Sequence, residues 1–191
     1  MIAGDAEEVE GPGALALQVG LPVGSLVAHQ KREPRECARI MTGVKSGPLP
    51  PVFFLGGLLL QWGFHISLPI ARLVPEAWAP LGTIPIAVGL GVVVVAALQF
   101  KKADTPIKPF DQPSALVTGG VFRVSRNPIY FAMIVIQIGT AFGLGTLVTF
   151  FVPPALAWLL SRRFIEREEA VLSKTFGADY DQYKSRVRRW L

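Results

Sequence analysis

Three stretches of this chain contain no Asp, Glu, Lys or Arg, and they constrain its fold more than any other feature. Ser46–Ala71, Ala77–Phe100 and Asn127–Ser161 run for 26, 24 and 35 residues, whereas about 20 apolar residues suffice to cross a hydrocarbon core. Charged residues make up 17% of the 191, below the roughly 25% of an average soluble domain. A small soluble enzyme and a disordered charged tail are both excluded. The net charge of +5 does not signal a nucleic-acid binder, because the basic residues lie beside apolar runs rather than forming one face. The expected class is an all-α, polytopic membrane helical bundle.

The runs predict four spans. The first covers 51–70 and the second 80–100, where Gly82, Gly89 and Gly91 offer small residues for close helix approach. The third run is too long for one span, since 35 residues as a helix would reach about 52 Å against a core of about 30 Å. The Gly-Leu-Gly at 143–145 is the natural break, giving a helical hairpin of 128–142 and 146–161. Pro153–Pro154 should kink or locally unwind the second arm. With four spans, the N-terminal segment, the 101–127 loop and the 162–191 tail share one side. They hold 5, 5 and 8 basic residues, and the other side holds only Arg72. The basic side is expected to be cytoplasmic, which places the protein in the cell membrane.

Residues 1–47 are expected to be a mobile leader ahead of a membrane domain over 48–191. Residues 11–30 are also charge-free, and a fifth span there is the alternative, but four glycines and two prolines dilute their hydrophobicity. Asp5, Glu7, Glu8 and Glu10 are not the basic flank of a secretory signal. Translation beginning at Met41 is a further alternative. A single cysteine, Cys37, allows no internal disulfide and no thiolate cage, and no metal is expected. His29 and His65 have no partner at metal-ligand spacing. His65 falls within an apolar run, where it is either a functional group or an imidazole bonded to a neighbouring helix.

Chemistry concentrates in the loop and the tail. Pro128 can occupy the first helical turn, where its missing N–H costs nothing, with Asn127 as the N-cap. Arg126 then sits beside the positive end of that helix, and guanidinium plus free N–H groups suit a carboxylate or phosphate. A plain helix cap with a snorkelling arginine fits the same residues. In the tail, helical spacing puts Ile165, Glu169, Leu172 and Phe176 on one face, with Glu168 at its edge. Gly177 can end that helix, and Asp179 with Gln182 has capping-box spacing for the next. Tyr180, Tyr183, Val187 and Trp190 form a stripe expected to pack back on the membrane face.

These two segments, LVTGGVFRVSRNPIY and EREEAVLSKTFGADYDQYKSRV, resemble the isoprenylcysteine carboxyl methyltransferase and phospholipid methyltransferase family. The likeness covers about residues 100–191. It implies a membrane-embedded methyltransferase that uses S-adenosylmethionine without a Rossmann domain, in keeping with the lack of a Gly-rich strand-to-helix fingerprint here. The family's Arg-His-Pro-x-Tyr element falls on Arg126, Asn127, Pro128, Ile129 and Tyr130, and its paired glutamates on Glu168 and Glu169. The resemblance implies further cofactor contacts at Ser114, Ala115, Leu116, Val117 and Phe122. It places Arg163 near where some relatives hold a substrate carboxylate. Asn127 stands where the family has a histidine, Phe122 where it has a tyrosine and Ser114 where it has another histidine. Asn127 therefore offers an amide hydrogen bond but no proton transfer.

In such a site Glu168 or Glu169 would take the cofactor's ammonium or ribose hydroxyls, and Arg126 its carboxylate. Tyr130 and Phe122 would offer aromatic faces to the sulfonium. The implied acceptor is lipophilic or amphipathic: an isoprenylcysteine carboxylate, a phospholipid amine or a small thiol, met among membrane lipids. Two alternatives differ in chemistry. Sterol-type reductases share the C-terminal pattern but bind NADPH and would want more basic residues for its 2′-phosphate. A non-enzymatic transporter or assembly factor would want paired intramembrane charges or an inverted repeat, and neither is visible.

Overall fold

The computed structural model describes residues 49–104 and 115–191. The leader with its alternatives, and Ser114, lie outside the described residues. Among the described residues the fold is helical, without strands, apart from one antiparallel bridge between Arg72 and Thr146. Helix α1 spans Pro50–Ser67, its two prolines in the first turn. A 3₁₀ segment, Glu76–Gly82, feeds α2 at Thr83–Lys102. A short 3₁₀ turn, Gly120–Arg123, precedes α3 at Pro128–Leu144. A 3₁₀ turn at Leu147–Phe151 leads into α4, Val152–Leu160, then a π-helical turn over Ser161–Ile165 and α5, Glu166–Phe176. Helix α6, Ala178–Arg186, completes the fold.

The expected break after α3 is present. Gly145 adopts φ 73° and donates its N–H to the Ala141 carbonyl, an end that favours glycine. The opposite connection closes on this turn, with Leu73 N–H donating to Gly145 O at 2.8 Å and Leu147 N–H to Ala71 O at 2.9 Å. Pro153–Pro154 fall in the first turn of α4, where the tighter 3₁₀ turn gives way to α-helix, which is the local unwinding their sequence predicts. Beyond them the helix runs past Ser161, where the charge-free run ends. It continues as one helix from Leu147 to Phe176 through the π turn. Through that turn Leu160, Phe164 and Ile165 are all buried, as the wider π turn brings two adjacent residues to the inner face.

Two helices are long and apolar enough to cross a bilayer, Glu76–Lys102 and Leu147–Phe176, while Pro128–Leu144 is apolar but shorter. In the second rod the apolar part ends at Leu160, because charged side chains begin at Arg162. Polarity is arranged inside out. Leu55, Leu59 and Ile66 of α1 and Val88, Val94 and Leu98 of α2 are exposed, while Gln61 and Gln137 are fully buried. Gln61 Nε2 donates to Gln137 O at 3.0 Å and Thr149 O at 3.2 Å, and Gln137 Nε2 donates to Phe54 O at 2.9 Å. These bonds tie α1, α3 and the second arm together where an apolar solvent could not satisfy the amides. His65 Nδ1 lies 3.5 Å from Thr146 Oγ1, so its contact is with a neighbouring segment of the fold.

Helices α2 and α3 meet backbone to backbone. A Cβ at Gly139 would lie 2.6 Å from Gly82 O, and one at Gly89 would lie 2.9 Å from Ala132 O. Gly91, expected to share this role, faces open space instead. Gly139→Ala should therefore destabilise the detergent-solubilised protein by about 1–3 kcal/mol through overpacking. Gly91→Ala should be neutral or slightly stabilising, and thermal melts of the two variants check this pair.

Candidate functional site

The site forms where α1 begins, α2 ends, α3 begins and α5 crosses them. After α2, the 3₁₀ turn at Gly120–Arg123 buries Phe122 edge-on against Phe100, with centroids 5.2 Å apart and planes at 80°. Ser125 Oγ accepts the Asn127 N–H at 3.1 Å and fixes the approach to α3. Pro128 opens that helix as its first residue. The result is a cavity of about 270 Å³. Pro50, Pro51, Ile129 and Met133 contribute its apolar wall, and Phe122, Arg126, Asn127, Tyr130 and Glu168 line it as well.

The two glutamates divide the work. Tyr130 donates its hydroxyl to Glu168 Oε1 at 2.6 Å, inside the cavity. Glu168 lies about two turns beyond Ser161, where the charge-free part of its rod ends, and burial raises its carboxyl to about 7. The Tyr130 hydrogen bond lowers it in part, and the neighbouring Glu169 charge raises it. Glu169 is turned away from the cavity lining. It is held by Arg126 Nη2 at 3.2 Å, and by Arg189 through Nε to Oε1 at 3.2 Å and Nη2 to Oε2 at 2.6 Å. The side chains of Arg126 and Glu169 are each only 9% exposed. Nε and Nη1 of Arg126 are buried without a hydrogen-bond partner. A guanidinium so buried is not snorkelling to water, and Arg126 lines the cavity with two donors that lack a hydrogen-bond partner, the chemistry an anion would satisfy.

Behind the site the tail folds on itself. Phe176, Tyr180, Tyr183 and Val187 form a cluster with Leu116 and Leu172, and Tyr183 donates its hydroxyl to Phe122 O at 2.7 Å. Burial raises the Tyr180 hydroxyl to about 12, with the Glu169 charge adding and Arg126 opposing. Gly177 ends α5 as expected. It also occupies the N-cap of α6 with φ 51°, so Asp179 lies inside the first turn and is not the cap. Trp190 leaves the tyrosine stripe and packs against the bundle cluster of Tyr130, Leu156, Leu160, Phe164 and Ile165.

Of the residues expected at the site, Phe122, Arg126, Asn127, Pro128, Tyr130 and Glu168 converge on the cavity. Asn127 stands at the N-cap position, but its side chain makes no capping bond and donates to Arg189 O at 3.1 Å. Ala115, Leu116 and Val117 do not line the cavity, and Leu116 serves the tail cluster instead. Arg163 is exposed on the π turn, away from the cavity lining. Arg189 was not foreseen. Its signal, a run of tail arginines, reads from sequence only as an orientation charge.

The sequence model described as phospholipid methyltransferase matches residues 78–179, which include α2, α3 and both glutamates. A protein-S-isoprenylcysteine O-methyltransferase of Schizosaccharomyces pombe is 33% identical over 72 residues, 38% of this chain and 30% of that protein. The chain thus matches less than a third of that relative's length.

Proposed function

Because the chain belongs to the phospholipid methyltransferase family, we propose that it is an integral membrane methyltransferase that takes its methyl group from S-adenosylmethionine and passes it to a lipophilic or amphipathic acceptor. Family membership favours this reading over a sterol-type reductase or a carrier. One observation supports it most: Arg126, whose buried Nε and Nη1 have no hydrogen-bond partner, lines the same cavity as the Tyr130–Glu168 pair. When bound, the cofactor supplies an electrophilic methyl on a sulfonium sulfur. Arg126 would hold its carboxylate, Glu168 its ammonium or ribose hydroxyls, and Phe122 and Tyr130 would face the sulfonium. Glu169 would act through Arg126.

The residues of the chain work by placement. Tyr130 fixes one oxygen of Glu168, so the carboxylate is aimed before any ligand arrives. The apolar wall of Pro50, Pro51, Ile129 and Met133 would exclude water and accept an apolar acceptor chain. Holding donor and acceptor in line is worth about 7–11 kcal/mol of the barrier, so placement is the main contribution asked of the protein. In the membrane we propose four spans: α1, the Glu76–Lys102 helix, α3 and the rod from Leu147 to about Ser161. The 101–127 loop and the tail would be cytoplasmic, which puts the cavity near the cytoplasmic surface.

The test is transfer of label. Purified protein given methyl-labelled S-adenosylmethionine and a membrane-lipid extract should produce an organic-soluble labelled product, whose identity names the acceptor. An amine, thiol or carboxylate product would each fit the same cavity.

A further inference from the structure

The geometry points to Arg189 as the positioning residue that keeps Arg126 free to bind an anion, with the 187–189 segment acting as a strap across the start of α3. This inference rests on the proposed reading of Arg126 and adds a second residue to it. Arg126 N–H donates to Arg188 O at 3.0 Å, Ser125 Oγ donates to Arg189 O at 3.3 Å, and Asn127 Nδ2 donates to the same carbonyl at 3.1 Å. Three consecutive residues of the approach to α3 are therefore pinned to two adjacent carbonyls near the end of the fold. From that strap the Arg189 side chain reaches back to Glu169 and engages both of its oxygens.

Glu169 has two oxygens, and an arginine fork uses both when it can. Because Arg189 takes that fork, Arg126 keeps a single contact with Glu169, through Nη2 at 3.2 Å, beside a hydrogen bond to the Tyr180 hydroxyl. Its other donors, Nε and Nη1, stay unpaired and buried. Two guanidiniums share the Glu169 carboxylate, while Glu168 in the same cavity is engaged by the Tyr130 hydroxyl, so Arg126 is only partly neutralised by its partner. Glu166 also faces Arg189, but it lies nearer the surface and pairs with Arg162 at 3.4 Å. Tyr180 faces the same cluster as a neutral hydroxyl. Without Arg189, Glu169 would close its own fork on Arg126, and the donors left for an anion would be taken up.

The experiment is binding calorimetry of the full chain in detergent with two probes, S-adenosylmethionine and its decarboxylated form. Arg189→Met should weaken S-adenosylmethionine by about tenfold or more, since a charged hydrogen bond is lost. It should leave the decarboxylated form within about twofold. Adding Glu169→Gln to Arg189→Met removes the competitor for Arg126 and should bring affinity back to within about threefold of the starting protein. Arg189→Lys keeps the charge but not the fork, and should fall between the starting protein and Arg189→Met. Equal weakening of both probes, no weakening of either, or a double variant as weak as the single one would overturn the inference. Arg126→Ala with the same probes separates the two readings. If it too fails to discriminate, the assignment of Arg126 falls. If it discriminates and Arg189→Met does not, the strap inference falls alone.

Discussion

Arg126→Ala is expected to weaken S-adenosylmethionine binding by about 2–3 kcal/mol, a loss of about 30- to 150-fold. The size follows from burial. The Arg126 side chain is 9% exposed, and two of its nitrogens have no partner in the protein. A carboxylate meeting those donors gains charge-assisted bonds that water does not compete for, and truncation leaves that carboxylate unpaired in the cavity. An arginine that only decorated a membrane surface would change affinity little, because exposed ion pairs are worth about 0–1 kcal/mol. Truncation also removes one of the two cations on Glu169, so stability must be followed in parallel. The affinity loss is then read on protein shown to be folded.

The second large effect belongs to Glu168. Glu168→Gln keeps an oxygen for the Tyr130 hydroxyl but removes the charge, and should weaken the cofactor by about 1.5–3 kcal/mol at pH 8. Its pH dependence is the sharper signature. Burial raises the carboxyl to about 7, so the group is ionised above that value and protonated below it. Affinity should fall toward tenfold per unit as pH drops below 7, because the proton must leave before the carboxylate can accept the ligand. Calorimetry across pH should show this slope in the unsubstituted protein and lose it in Glu168→Gln. Glu166→Gln is the control, since Glu166 pairs with Arg162 at the surface, and its profile should match that of the unsubstituted protein. A slope that persists in Glu168→Gln would assign the titration to another group.

Much of this arrangement is legible in the chain, and the exceptions have physical causes. The helix positions follow from where charge is absent, and the α3–α4 turn follows from Gly145, whose φ of 73° suits little else. The Arg126–Tyr130 element and Glu168 are near each other only in the fold, and in the sequence only the family resemblance links them. Gly91 shows the limit of composition. It is as small as Gly89, but helical rotation turns it outward to open space. The π turn at Ser161–Ile165 leaves no mark in composition, because any residue can occupy the inserted position. Asp179 lost the cap to Gly177, whose positive φ starts α6 earlier than capping-box spacing suggests. Arg189 was the largest omission. Its partner Glu169 lies 20 residues away, and only the reversal of the chain through α6 brings them together.

The division of the paired glutamates is the part that sequence could not supply. Adjacent residues on a helix point about 100° apart, so one can face a cavity while the other faces a scaffold. Here Glu168 lines the cavity and Glu169 is held between two arginines. This gives the pair different expected responses to substitution, one through charge facing the ligand and the other through the placement of Arg126.

The most direct test of the proposed activity is transfer of a labelled methyl from S-adenosylmethionine to membrane lipid by the purified protein, with Arg126→Ala beside it. Label should accumulate in an organic-soluble product with the unsubstituted protein and be reduced by at least about 30-fold in the variant when the cofactor is kept below saturation. No labelled product from folded protein across lipid, isoprenylated-peptide and thiol acceptors, or equal labelling by Arg126→Ala, would contradict it.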